Sequence, residues 1–259
     1  MKNQCLEVWE ENHVLHVRLH NREPESFFHA QLSQELKDLA REITLNDEIK
    51  VIVLGANGPN FSLGLKPLPL MEEPEDETYS SIHLACDAIE AWARLPQPVI
   101  AALNGHCSSL GLALACTADI RYAAKSSCFS IPEASWGLVP AGGLTQRLPR
   151  LIGKGPAISM LLGGEPIKGE RALELGLVNK LLSEDSLWEE VCLEAKRLAN
   201  LSALAMQYTK ECLLRGSELT FEQALRLEMD VYMLLQTSED RMEGVQAFLE
   251  KREPQFKGQ

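Results

Sequence analysis

The sequence predicts an α/β fold, with a first half wound from strand–helix–strand units and a second half that is almost entirely helical. Three observations carry the prediction. In VLHVRLH (14–20), Leu15, Val17 and Leu19 alternate with His16, Arg18 and His20, the period-two pattern of a strand with one buried face. Between His29 and Leu45, the residues Leu32, Leu36, Leu39 and Ile43 recur at three- and four-residue steps and form the apolar stripe of a helix. KVIVLGA (50–56) is then a short unbroken apolar run, as in a strand covered on both faces. Strand, helix and strand in that order imply right-handed parallel crossovers.

The remaining elements follow in chain order. NREPES (21–26) reads as a turn. After Ala56, the stretch NGPNFSLGLKPLPLMEEPEDE (57–77) carries four prolines and five acidic residues, which predicts a mobile surface flap. A helix from about Tyr79 to Arg94 brings Ile82, Ala85, Ile89 and Trp92 to one side, and Pro96 and Pro98 stop it before the buried strand VIAAL (99–103). DIRYAA (119–124) and CFSI (128–131) read as two more strands, followed by a turn-rich segment with Gly137, Pro140, Gly142 and Gly143. Helical periodicity then dominates, over 157–162, 169–175, 187–198, 203–215 and 222–235, with only LVNKLL (177–182) extended. No Pro/Gly/Ser linker separates the halves. The expected division is a core over 1–200 and a helical lid or oligomerisation region over 201–259.

Composition narrows the function. A chain of 259 residues that is 45% hydrophobic can bury one large core, and no apolar run reaches membrane-spanning length. The N-terminal MKNQCLEVWEENH lacks the apolar stretch of a signal peptide, so the expected compartment is the cytosol. A formal net charge of −12 argues against nucleic acid and anionic membranes, both of which need a basic face, and favours a soluble metabolic protein. An anionic ligand held by local cations or a helix start remains compatible. Seven cysteines without CxxC spacing fit reduced core thiols better than a disulfide frame or a metal site.

The chemistry concentrates between Pro98 and Gln146. NGHCSSLGLALACTADI (104–120) places a turn, small residues and an apolar helix directly after a buried strand. The first N–H groups of such a helix have no intrahelical acceptor and can bind phosphate or the oxygen of a polarised carbonyl. A plain strand-to-helix turn is the alternative, and the G-x-G-x-x-G dinucleotide spacing is missing.

Four segments, PVIAALNGHCSSLGLALACTADIRYA, FSIPEASWGLVPAGGLTQRLPRLIGKGPA, ALELGLVNKLL and EDRMEGVQAFLEKREPQFK, occur in an order and spacing that resembles the enoyl-CoA hydratase/isomerase (crotonase) superfamily, over nearly the whole chain. The resemblance implies a crotonase-like (ClpP/crotonase) spiral of ββα units with a C-terminal helical trimerisation region, assembled as a homotrimer or dimer of trimers. It also implies an acyl-CoA thioester as substrate, no separate cofactor, and an oxyanion hole of two backbone N–H groups. Carried over by position, the donors are Leu65 in NFSLGLKP and Leu110 in CSSLGLAL, and donors of this kind stabilise a thioester enolate.

The departures discriminate among reactions. Hydratases of this family hold water between two glutamates. Here the second is Glu133, but the first position is Ala113, which can neither orient water nor take its proton. One carboxylate suffices for the Δ3,Δ2-enoyl-CoA isomerase-type shift, in which Glu133 moves a proton from C2 to C4. Trp136, Leu138 and Val139 are the apolar neighbours expected to desolvate it, and Trp136 is also a candidate substrate-binding residue. The alternative for Glu133 is a surface acid after proline at a helix start.

Leu65 and Leu110 stand where the family usually has small residues, and Lys66 where an aspartate is common. Lys66 is a candidate for binding a substrate carboxylate or phosphate, which supports a decarboxylase or other lyase as a second activity, with a solvated loop lysine as the alternative. His106 lies beside the turn without a catalytic assignment. In the tail, Phe248 and Lys251 match positions that reach the CoA, often from a neighbouring subunit, although an aromatic and a cation at a helix end are also ordinary packing features. A third possibility is a homologue impaired in catalysis that binds acyl-CoA or assembles with relatives.

Overall fold

The computed structural model describes residues 5–20, 27–66 and 75–258. The turn expected at 21–26 and the part of the expected flap over 67–74 lie outside the described residues.

The first helical stripe forms as its spacing predicts. Helix α1 (Ala30–Thr44) buries Leu32, Leu36, Leu39 and Ile43, and its N-cap His29 accepts the Leu32 N–H through Nδ1 at 3.3 Å. Strands β1 (Leu6–Glu11), β2 (Val14–His20), β3 (Val51–Asn57), β4 (Val99–Leu103), β6 (Ile120–Ala124) and β9 (Lys180–Leu182) make one sheet in the order β1-β2-β3-β4-β6-β9. Only the β1–β2 pair is antiparallel. Helix α2 (Glu75–Ala93) is the crossover between β3 and β4, and its Trp92 Nε1 donates to Leu36 O at 2.9 Å, joining α2 to α1. The short β5 (His106–Ser108), β7 (Cys128–Ser130) and β8 (Ile167–Lys168) form a second sheet. Parallel bridges Ser62–Cys107 and Phe27–Gly64 continue β5 outward, so successive turns of the chain stack as a spiral.

Alternation along the strands sorts the core into two layers. Leu15, Val17, Ile52, Leu54, Val99 and Ala101 join the larger cluster with α1 and α2. Val14, Val51, Val53, Ile100 and Ala102 face the other way, against Leu187, Val191 and Ala195 of α7 (Glu184–Ala199). Strand β2 is therefore covered on both faces at its start, where one buried face was expected. His16 is 2% exposed, stacks on Trp9 at 4.8 Å between ring centroids, and meets Cys192 Sγ at 3.8 Å through Nδ1. Burial lowers its pKa, so it is a neutral core histidine. The helical pattern over 187–198 is legible in the sequence, but no pattern local to β2 reveals that this helix and its Trp188 pack against it.

Helices α3 (Ser109–Ala115) and α6 (Gly169–Glu174) pack on the small sheet, α4 (Leu144–Ile152) packs on α3 and on α5 (Lys154–Gly163), and α8 (Ala203–Gly216), α9 (Phe221–Leu235) and α10 (Glu239–Glu250) complete the chain. Helix α8 is tied to the sheet by Lys210, whose Nζ donates to Asp119 Oδ2 at 2.7 Å and to Gln97 O at 2.9 Å. Helix α9 buries none of its residues. Among the described residues no helix is long and apolar enough to cross a membrane.

Candidate active site

Two parallel strands of the small sheet bring the site together. Strand β5 pairs with β7 in register Ser108–Ser130, and the Ser108 hydroxyl donates to Ser130 O at 3.1 Å. The chain leaving β5 enters α3 at Ser109, and the chain leaving β7 runs through Ile131 and Pro132 into a 3-10 turn, Glu133–Trp136. The register therefore sets Ser109 and Glu133 side by side.

Glu133 is fully buried, which rules out the surface-acid alternative. Its Oε1 accepts from the Ser109 hydroxyl at 2.5 Å, and its Oε2 has no hydrogen-bond partner among the described residues. Burial raises its pKa, against the opposing effect of the Ser109 and backbone hydrogen bonds. The desolvation does not come from the expected neighbours alone. Trp136, the last residue of the turn, is half-buried, and after the left-handed Gly137 the chain leads outward, leaving Leu138 36% and Val139 80% exposed. The turn that carries Glu133 packs on α5, and its carboxyl is tied to Ser109 at the start of α3.

The two candidate oxyanion donors are also adjacent. Leu110 is the second residue of α3, where an N–H has no intrahelical acceptor. The loop bearing Leu65 is stitched to β5 by Ser62 N–H to His106 O at 3.1 Å and Ser108 N–H to Ser62 O at 2.8 Å. Gly64, at φ 76°, passes so close that a β-carbon there would lie 2.3 Å from Ser109 Cβ, 2.5 Å from Ser108 O and 2.8 Å from Leu110 N. Only glycine permits this approach. The Leu65 N–H donates to Ser109 Oγ at 3.3 Å. Both leucine side chains pack into the larger core cluster, Leu110 at 1% exposure, so their bulk is spent on the core.

Ser109 thus joins Leu65 to Glu133. It is itself buried and holds φ 52°, a left-handed conformation that costs a non-glycine residue on the order of 1 kcal/mol. Sequence reasoning missed it, because serines at a helix start read as caps.

Ala113 is fully buried. Gly142, at φ 65°, lies over it, and a β-carbon on Gly142 would meet Ala113 Cβ at 2.7 Å, Ile89 Cδ1 at 2.9 Å and Leu110 Cδ2 at 3.2 Å. An open cavity of about 510 Å³ shares Gly142 and is walled by Cys86, Glu90 and Arg147, but Glu133 is not among its walls.

The other candidates lie outside this cluster. Lys66 is exposed, its ammonium 5.7 Å from the Phe27 ring centroid. His106 is exposed, and its hydrogen bonds to the Leu65 loop are through the backbone, its N–H donating to Asn60 Oδ1 at 2.9 Å and its carbonyl accepting from Ser62 N–H at 3.1 Å. Phe248 is 83% exposed on α10, and Lys251 is the left-handed C-cap of that helix.

The family model described as enoyl-CoA hydratase/isomerase matches residues 10–259. A 2,3-dehydroadipyl-CoA hydratase of Escherichia coli (strain K12) is 35% identical over 231 residues, 88% of this chain and 87% of that protein. A crotonyl-CoA hydratase of Syntrophomonas wolfei is 32% identical, over 86% of each chain. The crystal structure of an enoyl-CoA hydratase from Bacillus anthracis superposes with a TM-score of 0.95 at 31% identity, covering 99% of this chain and 100% of that one.

Proposed function

The chain belongs to the enoyl-CoA hydratase/isomerase family, and from that premise we propose that it catalyses a Δ3,Δ2-enoyl-CoA isomerase-type proton shift. One observation carries the reading. Glu133 is a buried carboxyl with an unpartnered oxygen, and position 113, where a second carboxylate would be needed to hold water, offers a methyl group covered by Gly142.

The thioester oxygen sits between the N–H groups of Leu65 and Leu110. Ionised Glu133 removes the C2 proton of a 3-enoyl thioester, and the C–H electron pair moves into the conjugated enolate, whose negative oxygen those N–H groups stabilise. Each such donor is worth about 2.7–4 kcal/mol in the transition state. The protonated carboxyl then returns the proton at C4, giving the 2-enoyl thioester with no net gain or loss of atoms. A raised pKa suits this cycle, since one group must accept and then donate near neutral pH. The relatives' names favour water addition, but the departure at Ala113 removes the residue type that would orient and deprotonate that water.

The test is to assay purified protein for interconversion of 3-enoyl- and 2-enoyl-CoA and for hydration. Isomerisation is expected to exceed hydration and to fall by about 10²–10⁴-fold in Glu133→Gln. No isomerisation, or isomerisation undiminished in that variant, overturns the reading.

A second reading, binding of acyl-CoA without turnover, is favoured by the Ser109 hydroxyl standing on the Leu65 N–H. Calorimetry with several CoA esters separates the two: binding without turnover supports it, and rapid turnover of any ester removes it.

We further propose that the protein works as a homotrimer or dimer of trimers. Phe221, Leu225, Met229 and Tyr232 follow one another at four-, four- and three-residue steps on α9, all at least 49% exposed, and a second copy is the occupant such a stripe suits. Phe248 and Lys251 would then reach the CoA of a neighbouring copy.

A further inference from the structure

We infer that Ser109 is a positioning residue for the proton-transfer carboxyl, holding Glu133 Oε1 so that Oε2 is the oxygen that exchanges the substrate proton. This rests on the proton-shift reading above and assigns a role to a residue that reading does not use.

The geometry leaves the hydroxyl little choice. A serine hydroxyl has one proton and two acceptor positions. One acceptor position takes the Leu65 N–H at 3.3 Å, and the proton goes to Glu133 Oε1 at 2.5 Å. The backbone N–H thereby fixes which way the O–H points. Gly64 fixes where the hydroxyl stands, because its missing β-carbon is what lets the Leu65 loop lie against Ser109 Cβ. Both carboxyl oxygens are in the same buried pocket, yet only Oε1 is held. A free carboxyl can rotate and present either oxygen, whereas this one has a fixed oxygen and a reacting one. Glycine at 109 would adopt φ 52° without strain, so the backbone gains nothing from serine here and the hydroxyl contacts are what offset the strain.

The same hydroxyl competes with a thioester oxygen for the Leu65 N–H. Its 3.3 Å bond to that N–H lies beyond the usual range for such contacts, while its bond to Glu133 is short. The first is the one a substrate displaces. Removing the hydroxyl should therefore slow proton transfer without weakening substrate binding, a split that a purely structural role does not produce.

The experiment compares Ser109→Ala and Ser109→Gly with wild type, and the glycine variant guards against misfolding because it relieves the backbone. In substrate-free protein, the infrared carbonyl band of protonated Glu133 is assigned by its absence in Glu133→Gln and followed against pH. It should titrate at higher pH in both Ser109 variants, since the carboxylate has lost a donor. With an enoyl-CoA ester, kcat should fall roughly 10- to 100-fold, the change expected from one lost charge-assisted hydrogen bond, while KM stays level or drops and the acid limb of the pH–rate profile moves upward. A band and an acid limb unmoved in both variants overturn the role. If no ester is isomerised, the proton-shift reading fails by itself, and the infrared titration still decides whether Ser109 governs Glu133.

Discussion

Gly142 lies directly over Ala113: a β-carbon on the glycine would stand 2.7 Å from the alanine β-carbon. The Gly142 backbone thus lies against the methyl of Ala113, and on the proton-shift reading a longer side chain at 113 has to contend with that contact. Ala113→Glu has to displace the Gly142 loop or place an unpaired charge where nothing is exposed. It is expected to cost about 3 kcal/mol or more in stability and to add no hydration. Urea unfolding and a crotonyl-CoA hydration assay check this. A variant as stable as wild type that hydrates faster would show that the space is available.

Gly64→Ala should disable both oxyanion donors at once. The new methyl meets Ser109 Cβ at 2.3 Å, Ser108 O at 2.5 Å and Leu110 N at 2.8 Å, at a φ of 76° that alanine resists. Separating the two loops moves the Leu65 N–H away from the Leu110 N–H. Loss of one donor predicts a fall in kcat of about 10²–10³-fold, and loss of both predicts at least as much. Steady-state kinetics on whichever ester is turned over provides the measurement, and a change confined to KM would argue against an oxyanion role for this loop.

Glu133→Gln should stabilise the protein while inactivating it, with a pH dependence whose sign is fixed. Burial raises the folded-state pKa of Glu133 above its unfolded value. The protonated carboxyl is thus compatible with the fold, and its favourable contribution is fully present below the unfolded carboxyl pKa of about 4.3 and lost as pH rises through the folded pKa. Glutamine has no charge to bury, so the variant should be more stable than wild type by about 1 kcal/mol at neutral pH, with the gap closing below the unfolded pKa. Denaturation series at both pH values decide it, and a gap that favours wild type at neutral pH would contradict the burial argument.

The sequence made the scaffold of this site legible and its wiring illegible, for physical reasons. Strands β3 and β4 and the stripe of α1 are periodic, and burial enforces the period, so VIVL, VIAAL and Leu32/Leu36/Leu39/Ile43 could be read directly. Strand β1 was not read as a strand, because its apolar residues are interrupted by Glu7, Glu10 and Glu11 and its partner lies across a hairpin. Helices α4 and α10 were hidden in turn-rich and highly charged segments. Glu133, Leu65 and Leu110 are candidates that ordered motifs, rather than periodicity, single out. Ser109 depends on a left-handed backbone angle and on the approach of Gly64 from a segment more than forty residues away, and neither leaves a periodic trace.

The exposed stripe of α9 gives the last prediction. Phe221 is 81% exposed, Leu225 49%, Met229 59% and Tyr232 61%, and none of the fifteen residues of the helix is buried in the single chain. A helix whose main packing partner is α8 leaves this stripe in water, whereas a second copy covering it would remove a contiguous apolar surface from solvent. Sedimentation equilibrium should accordingly give a multiple of the 28.8 kDa chain mass, with three or six copies expected. In Leu225→Glu/Met229→Glu, two carboxylates enter the covered face, and the mass should fall. On a free surface the same substitutions change stability by no more than about 0.5 kcal/mol and leave the mass as it was. A wild-type protein that sediments as one chain, or a double variant that keeps the wild-type mass, would remove α9 as the contact.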